Sequence, residues 1–417
     1  MTLEQLRRFV RRLGRRMWVR ATLYCAVAVL TALVGALVKT WIPESLAGRI
    51  GADSVGNLLG ILATSMLAVT TFSLSTMVSA YSSASNGATP RATRLLIADS
   101  AAQGALSTFI GAFLFSVVGL IALSTGIYGD SGRVVLFAAT VGVIVLITLT
   151  LLAWIEQLAS FGRVGATINL VERATREALD THLEDPYLGA APGAISPETG
   201  HAIESDAIGY VEHIDVARLA ELAEDAGLVL HLALRPGVFA VPGRPLLRCE
   251  GGPLDAKTAD ALREAFTISD ERNFDQDPRY GLVVLTEIGT RALSQAVNDS
   301  GTAIDVVGTA TRLLCEWARA PTATPETRYG RVFVPPLAIE DAFDDVFPLL
   351  ARDGAGSLEV GIRLQKGLAA IAAAGDPRFA AAAAHHAALA LARAEATLTF
   401  PPDLDALRHC AAKTERP

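Results

Sequence analysis

Four long apolar runs lie within the first 155 residues, and no other feature of this chain restricts its fold as much. A bilayer core of about 30 Å takes roughly 20 helical residues at 1.5 Å each. The run from about Val19 to Thr40 meets that length, and Trp18 and Trp41 bracket it where amphipathic indoles favour the headgroup level. Further runs cover about 55–81, 104–128 and 134–154, ending at Tyr81, Tyr128 and Trp154. Ahead of the first lies RRFVRRLGRRMWVR, with seven arginines. A cleavable signal peptide would have a shorter apolar core and a small-residue cleavage site, so this run reads as an uncleaved anchor. Four crossings return both termini to one side, and the arginine cluster, with Arg91 and Arg94 in the 82–103 connection, assigns that side to the cytoplasm. The outer loops set Lys39 and Arg49 against Glu44 and Asp53, and Arg133 against Asp130, so neither has a positive excess. The expectation is a multi-pass protein of the inner (plasma) membrane with cytoplasmic N- and C-termini.

Charge changes sign after the last run. Residues 1–155 hold 5 acidic side chains against 12 Lys or Arg, and residues 156–417 hold 38 against 24. The chain therefore reads as a membrane α-helical protein: a four-helix transmembrane bundle (1–155), then a cytosolic α+β region. That region comprises a helical stalk and linker (156–199), a small β-rich module (200–254) and a helical domain (255–417). With a net charge of −7, nucleic acid is not expected as a partner. Cys25, Cys249, Cys315 and Cys410 show no paired spacing and read as free thiols.

The second run, TSMLAVTTFSLSTMVSAYSSASNG and the residues before it, carries a hydroxyl on nearly every turn. At 100° per residue, Asn57, Thr64, Thr71, Ser75, Ser79, Ser82 and Asn86 fall on one stripe, together with Gly60 and Ala68. Ser73 falls on the opposite, apolar side. Two readings stand. In one, the stripe is a packing seam, with the third run (Gly104, Thr108, Gly111, Phe115, Ala122) as its partner and hydroxyls bonded across the contact or back to the i−4 carbonyl. In the other it lines a wet path for ions or small polar solutes, within a subunit or around an oligomer axis. None of the four runs has a charged residue in its middle, which argues against proton coupling. Small-residue stripes suit self-association, so a homo-oligomer is expected.

The C-terminal half offers thinner chemistry. Glu172, Arg173, Arg176 and Glu177 read as the solvent face of the stalk. Arg235-Pro236-Gly237 and Pro242-Gly243-Arg244-Pro245 are turn signals between short strands. No lysine sits at the hairpin tips, so no lipoyl or biotin carrier is indicated. Asp277, Arg279, Glu287, Arg291, Asn298 and Asp299 form a ligand site or a set of ion pairs and caps, since forked donors and bidentate acceptors serve either purpose. Asp341 and Asp345 share one helix face as a two-carboxylate cation candidate lacking a third ligand. His385 and His386 point about 100° apart on a helix and cannot chelate one metal. No GxxxxGK[ST], GxGxxG or GxSxG occurs, so neither cofactor nor metal is implied and an enzyme is the least supported class.

Two stretches, TTFSLSTMVSAYSSASNGATPRATRLLIADSAAQGALSTFIGAFLFSVVGL and FDQDPRYGLVVLTEIGTRALSQAVNDSGTAID, carry a resemblance. Their order and separation make the chain similar to the bacterial predicted membrane proteins of domain of unknown function 2254. That resemblance implies four N-terminal spans and a cytosolic C-terminal portion, and it carries no established activity. Family members read closer to ALSPAINDP in the second stretch, so Gln295 and Ser300 stand here where prolines are common. Two functional expectations follow. The first is an oligomeric pore or transport-like protein with a cytosolic regulatory or assembly region. The second is a membrane-tethered sensor or scaffold whose cytosolic region binds a protein or small-molecule regulator.

Overall fold

The computed structural model describes residues 52–97, 100–125, 129–160, 163–193, 200–252, 254–321 and 326–414, with positions 19, 22, 23, 26 and 30 of the first apolar run, which are helical. The rest of the predicted span at 19–40 lies outside the described residues. The chain forms two compact units, Met1–Ala166 and Thr167–Pro417.

In the first unit, α1 (Ala52–Gly87), α2 (Pro90–Ile97), α3 (Ser100–Ser124) and α4 (Gly129–Ser160) follow in order. Among the described residues, three stretches are long and apolar enough to cross a bilayer: Ser54–Ser85, Ala102–Ser124 and Gly132–Leu158. Helix α3 is central, because its small side chains let both neighbours approach. Val55 and Leu59 pack with Phe115, Ala122 and Leu136 at one end of the bundle, and Met66 and Met77 with Ala102, Leu106, Phe109, Ile147 and Trp154 at the other. A Cβ on Gly119 would stand 3.2 Å from the Leu59 side chain, so glycine there sets how closely α1 and α3 meet. Trp154 is buried in this core, with Tyr81 packed against it, so its ring faces helices rather than a lipid belt. Helix α1 continues past Tyr81 to Gly87. It stops where Pro90, whose fixed φ suits a first helical turn, opens α2 and Thr89 Oγ1 accepts from the Arg91 N–H at 3.0 Å.

Helix α5 (Val164–Glu184) starts in the last residues of the first unit and belongs to the second from Thr167 onward. Its Ile168, Val171, Thr175 and Leu179 are buried, and so is Glu172, which the sequence placed on a solvated stalk face. Glu172 turns inward because Arg312 receives it bidentately at 2.8 and 3.1 Å. The strands are β1 (Ala190–Pro192), β2 (His201–Glu204), β3 (Gly209–Ile214), β4 (Val229–Leu232), β5 (Phe239–Ala240), β6 (Pro245–Glu250), β7 (Phe266–Ser269) and β8 (Tyr329–Val334). They form a five-stranded sheet, β1-β8-β4-β6-β2, and a three-stranded sheet, β5-β3-β7. Strand β8 lies parallel to β1 and β4. The β structure therefore extends past 254 into the stretch read as wholly helical. Alternation in β8, with Val332 and Val334 buried and Arg331 exposed, is what lets it enter the sheet. Helix α6 (Val216–Asp225), capped by Asp215, buries Leu219 and Ala223 in the same core as Leu230, Leu232 and Leu247.

After α7 (Ala256–Glu264) the remaining helices are α8 (Tyr280–Ala292), α9 (Ser300–Arg319), α10 (Ile339–Asp353), α11 (Leu358–Ala372), α12 (Pro377–Thr397) and α13 (Pro401–Thr414). Helix α8 packs on α9 and α10, and α11 packs on α9, α12 and α13. Aromatic rings close the centre: Phe343 lies 5.5 Å from Phe347 and 5.9 Å from Phe379, which meets Trp317 edge-on at 5.5 Å.

Candidate functional site

The hydroxyl stripe of α1 points away from α3, the partner that the packing-seam reading gave it. Asn57, Thr64, Thr71, Ser75, Ser79 and Ser82 are all exposed, whereas Val55, Leu59, Met66, Ser73 and Met77 make the buried contact. Nothing is described of the Asn86 side chain. The α1–α3 seam is thus on the face that carries Ser73, about 180° from the stripe. The reason is size: Met and Leu fill the grooves of α3 and bury more apolar area than Ser or Thr. Thr64 and Thr71 donate to the carbonyls of Gly60 and Leu67 at 3.0 and 2.9 Å, so their hydroxyls are satisfied within α1. Leu67, Phe72 and Leu74 flank the stripe, Ile61 and Val78 fall at its edges, and all five are 49–64% exposed, so the outer face of α1 sets a run of hydroxyls among large apolar side chains.

The six residues grouped in the C-terminal unit separate into two places. Asp277 and Arg279 sit at the start of α8, and Asn298 and Asp299 follow its end, about 20 Å away for a helix of 13 residues. Asp299 caps α9, accepting from the Thr302 N–H at 3.0 Å and its hydroxyl at 2.6 Å, which holds the Asp299 carboxyl below its usual range. Asn298 takes a left-handed φ of 50°, a conformation asparagine tolerates better than most side chains. The exposed Ser294–Asp299 turn is closed by the Asp299 N–H on Ala292 O at 2.8 Å. Arg291 is exposed and Glu287 half-buried on α8 between these ends.

FDQDPRYG, residues 274–281, joins much of the second unit. Gln276 accepts from the Ile214 N–H of β3 at 2.9 Å. Asp277, 3% exposed, takes Arg272 bidentately at 2.6 and 3.0 Å and the Arg279 N–H at 3.2 Å. Gly237, at φ 89°, lies so close to that carboxylate that a Cβ would stand 2.2 Å from Oδ2. Arg279 reaches α10, binding Asp345 at 2.7 and 3.1 Å and also Asp341. The carboxylates that resembled a cation site are therefore held by a guanidinium. Among the described residues no group of three His, Cys, Asp or Glu is placed to hold a metal ion. Gly281 admits α5, whose Thr175 Oγ1 would lie 1.8 Å from any added Cβ.

Beside this joint is a buried group that sequence reasoning missed. Arg235 donates to the carbonyls of Pro186, at 2.9 Å, and Pro335. Burial pulls its pKa down to about 10, while Tyr187 and Asp277 act the other way. The His182 ring packs edge-on against Trp317 at 6.0 Å, and burial, with Arg235 adding to it, lowers its pKa to about 4. The histidine is neutral at pH 7. The sequence signal was Arg235 inside an otherwise apolar strand–turn, a buried charge that needs partners.

Uncharacterized proteins of Mycobacterium bovis and Mycobacterium tuberculosis are similar to this chain, each 27% identical over 268 residues, which is 61% of this chain and 50% of theirs. The chain thus spans about half the length of the curated relatives it matches. No solved structure matches. The family model described as predicted membrane protein (DUF2254) matches residues 14–370, and with that much of its length covered this chain belongs to the DUF2254 family of predicted membrane proteins.

Proposed function

We propose that this protein is an oligomeric pore or transport-like protein of the inner (plasma) membrane, with cytoplasmic N- and C-termini and a C-terminal unit that sets assembly or gating. One observation carries the reading: the hydroxyl stripe of α1 is exposed, opposite the face that packs in its own bundle. Thr64 and Thr71 bond within α1, but lipid tails offer nothing to the stripe's other polar groups, Asn57, Ser75, Ser79 and Ser82, whereas a second copy of α1 or a file of water does. A neutral lining suits weakly selective passage. The described spans hold no charge near their centres, in keeping with passive movement. The proposal is of a homo-oligomer in a lipid bilayer, without enzymatic activity, metal or cofactor.

Cysteines placed at Thr71, Ser75 and Ser79 are expected to react with a membrane-impermeant thiol reagent in native membranes, and cysteines at Leu67 and Leu74, to one side of the stripe, are not. In liposomes, Ser75→Leu is expected to reduce ion or solute flux. Unreactive stripe positions together with no flux under any gradient overturn the pore reading.

The exposed Ser294–Asp299 turn, with Val297 53% exposed, favours a second reading: a membrane-tethered scaffold that captures a cytosolic protein or small-molecule regulator at this turn. Under it the stripe stays unreactive and substitutions at 294–299 abolish capture.

A further inference from the structure

Helix α2 is eight residues long and divides cleanly by face. Ala92, Thr93 and Leu96 are buried against the bundle, and Pro90, Arg91, Arg94 and Ile97 are exposed. Its depth follows from its neighbours. Between Arg133 and Glu156, α4 runs for 22 residues without a charge, roughly 33 Å and about the thickness of a hydrocarbon core. Glu156 therefore marks one edge of that core. Trp154, two residues before it, packs in one cluster with Met77, in the last third of α1, and with Ala102 at the start of α3. A Cβ on Gly87 would stand 3.5 Å from Val164, just beyond α4. The connection holding α2 thus lies at the Glu156 end, level with the headgroups. There Arg91, Arg94 and Arg163 are exposed, and with Glu156 and the Asp99 of the same connection the balance is three cations to two carboxylates.

We propose that α2 is a docking surface for anionic phospholipids, with Arg91 and Arg94 on the headgroup phosphate and Ile97, 49% exposed, in the acyl boundary. A guanidinium has five N–H donors in a planar fork, so bonds within the protein leave others for phosphate oxygens. The excess of cations selects a net negative headgroup over a zwitterionic one, whose ammonium the same arginines repel. Arginine and isoleucine on one exposed face suit an interfacial helix, which presents charge to headgroups and carbon to the tails below. The inference rests on the membrane placement of α1, α3 and α4, and not on whether α1 lines a path.

The test uses the full chain in phosphatidylcholine nanodiscs containing a trace of photoreactive phosphatidylglycerol or, separately, photoreactive phosphatidylcholine. Labelling is mapped by peptide mass spectrometry. The expected result is preferential phosphatidylglycerol labelling within residues 88–97. In R91Q/R94Q that preference falls about fivefold or more at low salt, since each surface arginine contributes about a fivefold factor. R91K/R94K keeps most of it, and Arg133→Gln, at the opposite end, leaves it unchanged. Equal labelling by the two lipids, or phosphatidylglycerol labelling only elsewhere, overturns the proposal. So does loss of labelling in sodium phosphate but not in sodium chloride of equal ionic strength, which assigns the arginines to free phosphate. Should the double variant not fold, the wild-type map and its loss in 0.5 M salt decide the question alone.

Discussion

Replacing Arg279 by methionine keeps most of the side-chain volume and removes the cation that α8 extends to α10. Three charge-assisted bonds disappear, two to Asp345 and one to Asp341. Breaking a fully buried pair by deleting one partner costs about 3–5 kcal/mol. The Arg279 and Asp345 side chains are 20% and 15% exposed and Asp341 is 49% exposed, so solvent recovers part of this and about 2–3 kcal/mol remains. The carboxylates left behind, at i and i+4, also repel each other. A chain of two units has no single unfolding free energy, so the measurement is local: hydrogen exchange of amides in α10 in the full-length protein. A 2–3 kcal/mol loss raises exchange there about 30- to 150-fold. R279M/D345L, which removes both charges, is expected to recover at least half of that in free-energy terms. Exchange in α10 that changes less than about twofold in Arg279→Met, or a double variant no better than the single one, refutes the claim that this pair holds α8 to α10.

Two other outcomes follow from the same joint. His182 has a folded pKa of about 4 against an ordinary 6.5, so below pH 6.5 the unfolded chain takes up a proton that the folded one refuses; stability present above 6.5 is lost down to about pH 4, by up to roughly 3 kcal/mol. His182→Phe is expected to flatten that part of the pH dependence of exchange in α5 and α9, and an unchanged slope refutes it. Gly281→Ala drives a methyl into Thr175 on α5, overpacking worth about 3 kcal/mol or more, whereas Gly308→Ala, with open space around it, is expected to change little; equal thermal stability of the two variants contradicts the close approach.

What could be read from sequence depended on how far apart the responsible residues lie. A cap at Asp299 or Ser300 was legible because such a bond spans three residues, and the structure gives it to Asp299, which accepts from the Thr302 N–H. Gly237 and Gly243 were legible as turns, and both have left-handed φ. Arg279 was legible as a forked donor but its acceptors were not, because Asp341 and Asp345 lie 62 and 66 residues away. Glu172 looked like a surface charge for the same reason, since Arg312 stands 140 residues further along. Strand β8 was missed because its alternation lies in burial and not in hydropathy: Val332, Phe333 and Val334 are apolar in a row, behind a glycine and an arginine.

Sequence alone marked this chain as a predicted membrane protein. Apolar length and the placement of charge are local sums, and three of the runs appear as helices of spanning length. It also determined that one side of α1 is rich in hydroxyls, since 100° per residue is a property of the helix itself. Only the tertiary structure decided which side of α1 packs, because that choice depends on the volume of the facing α3 side chains, and the bulk of Met66, Met77 and Leu59 outweighs the small residues opposite. It likewise decided that Asp341 and Asp345 share the Arg279 guanidinium, since the partner of a charge is set by what the fold brings within about 3 Å.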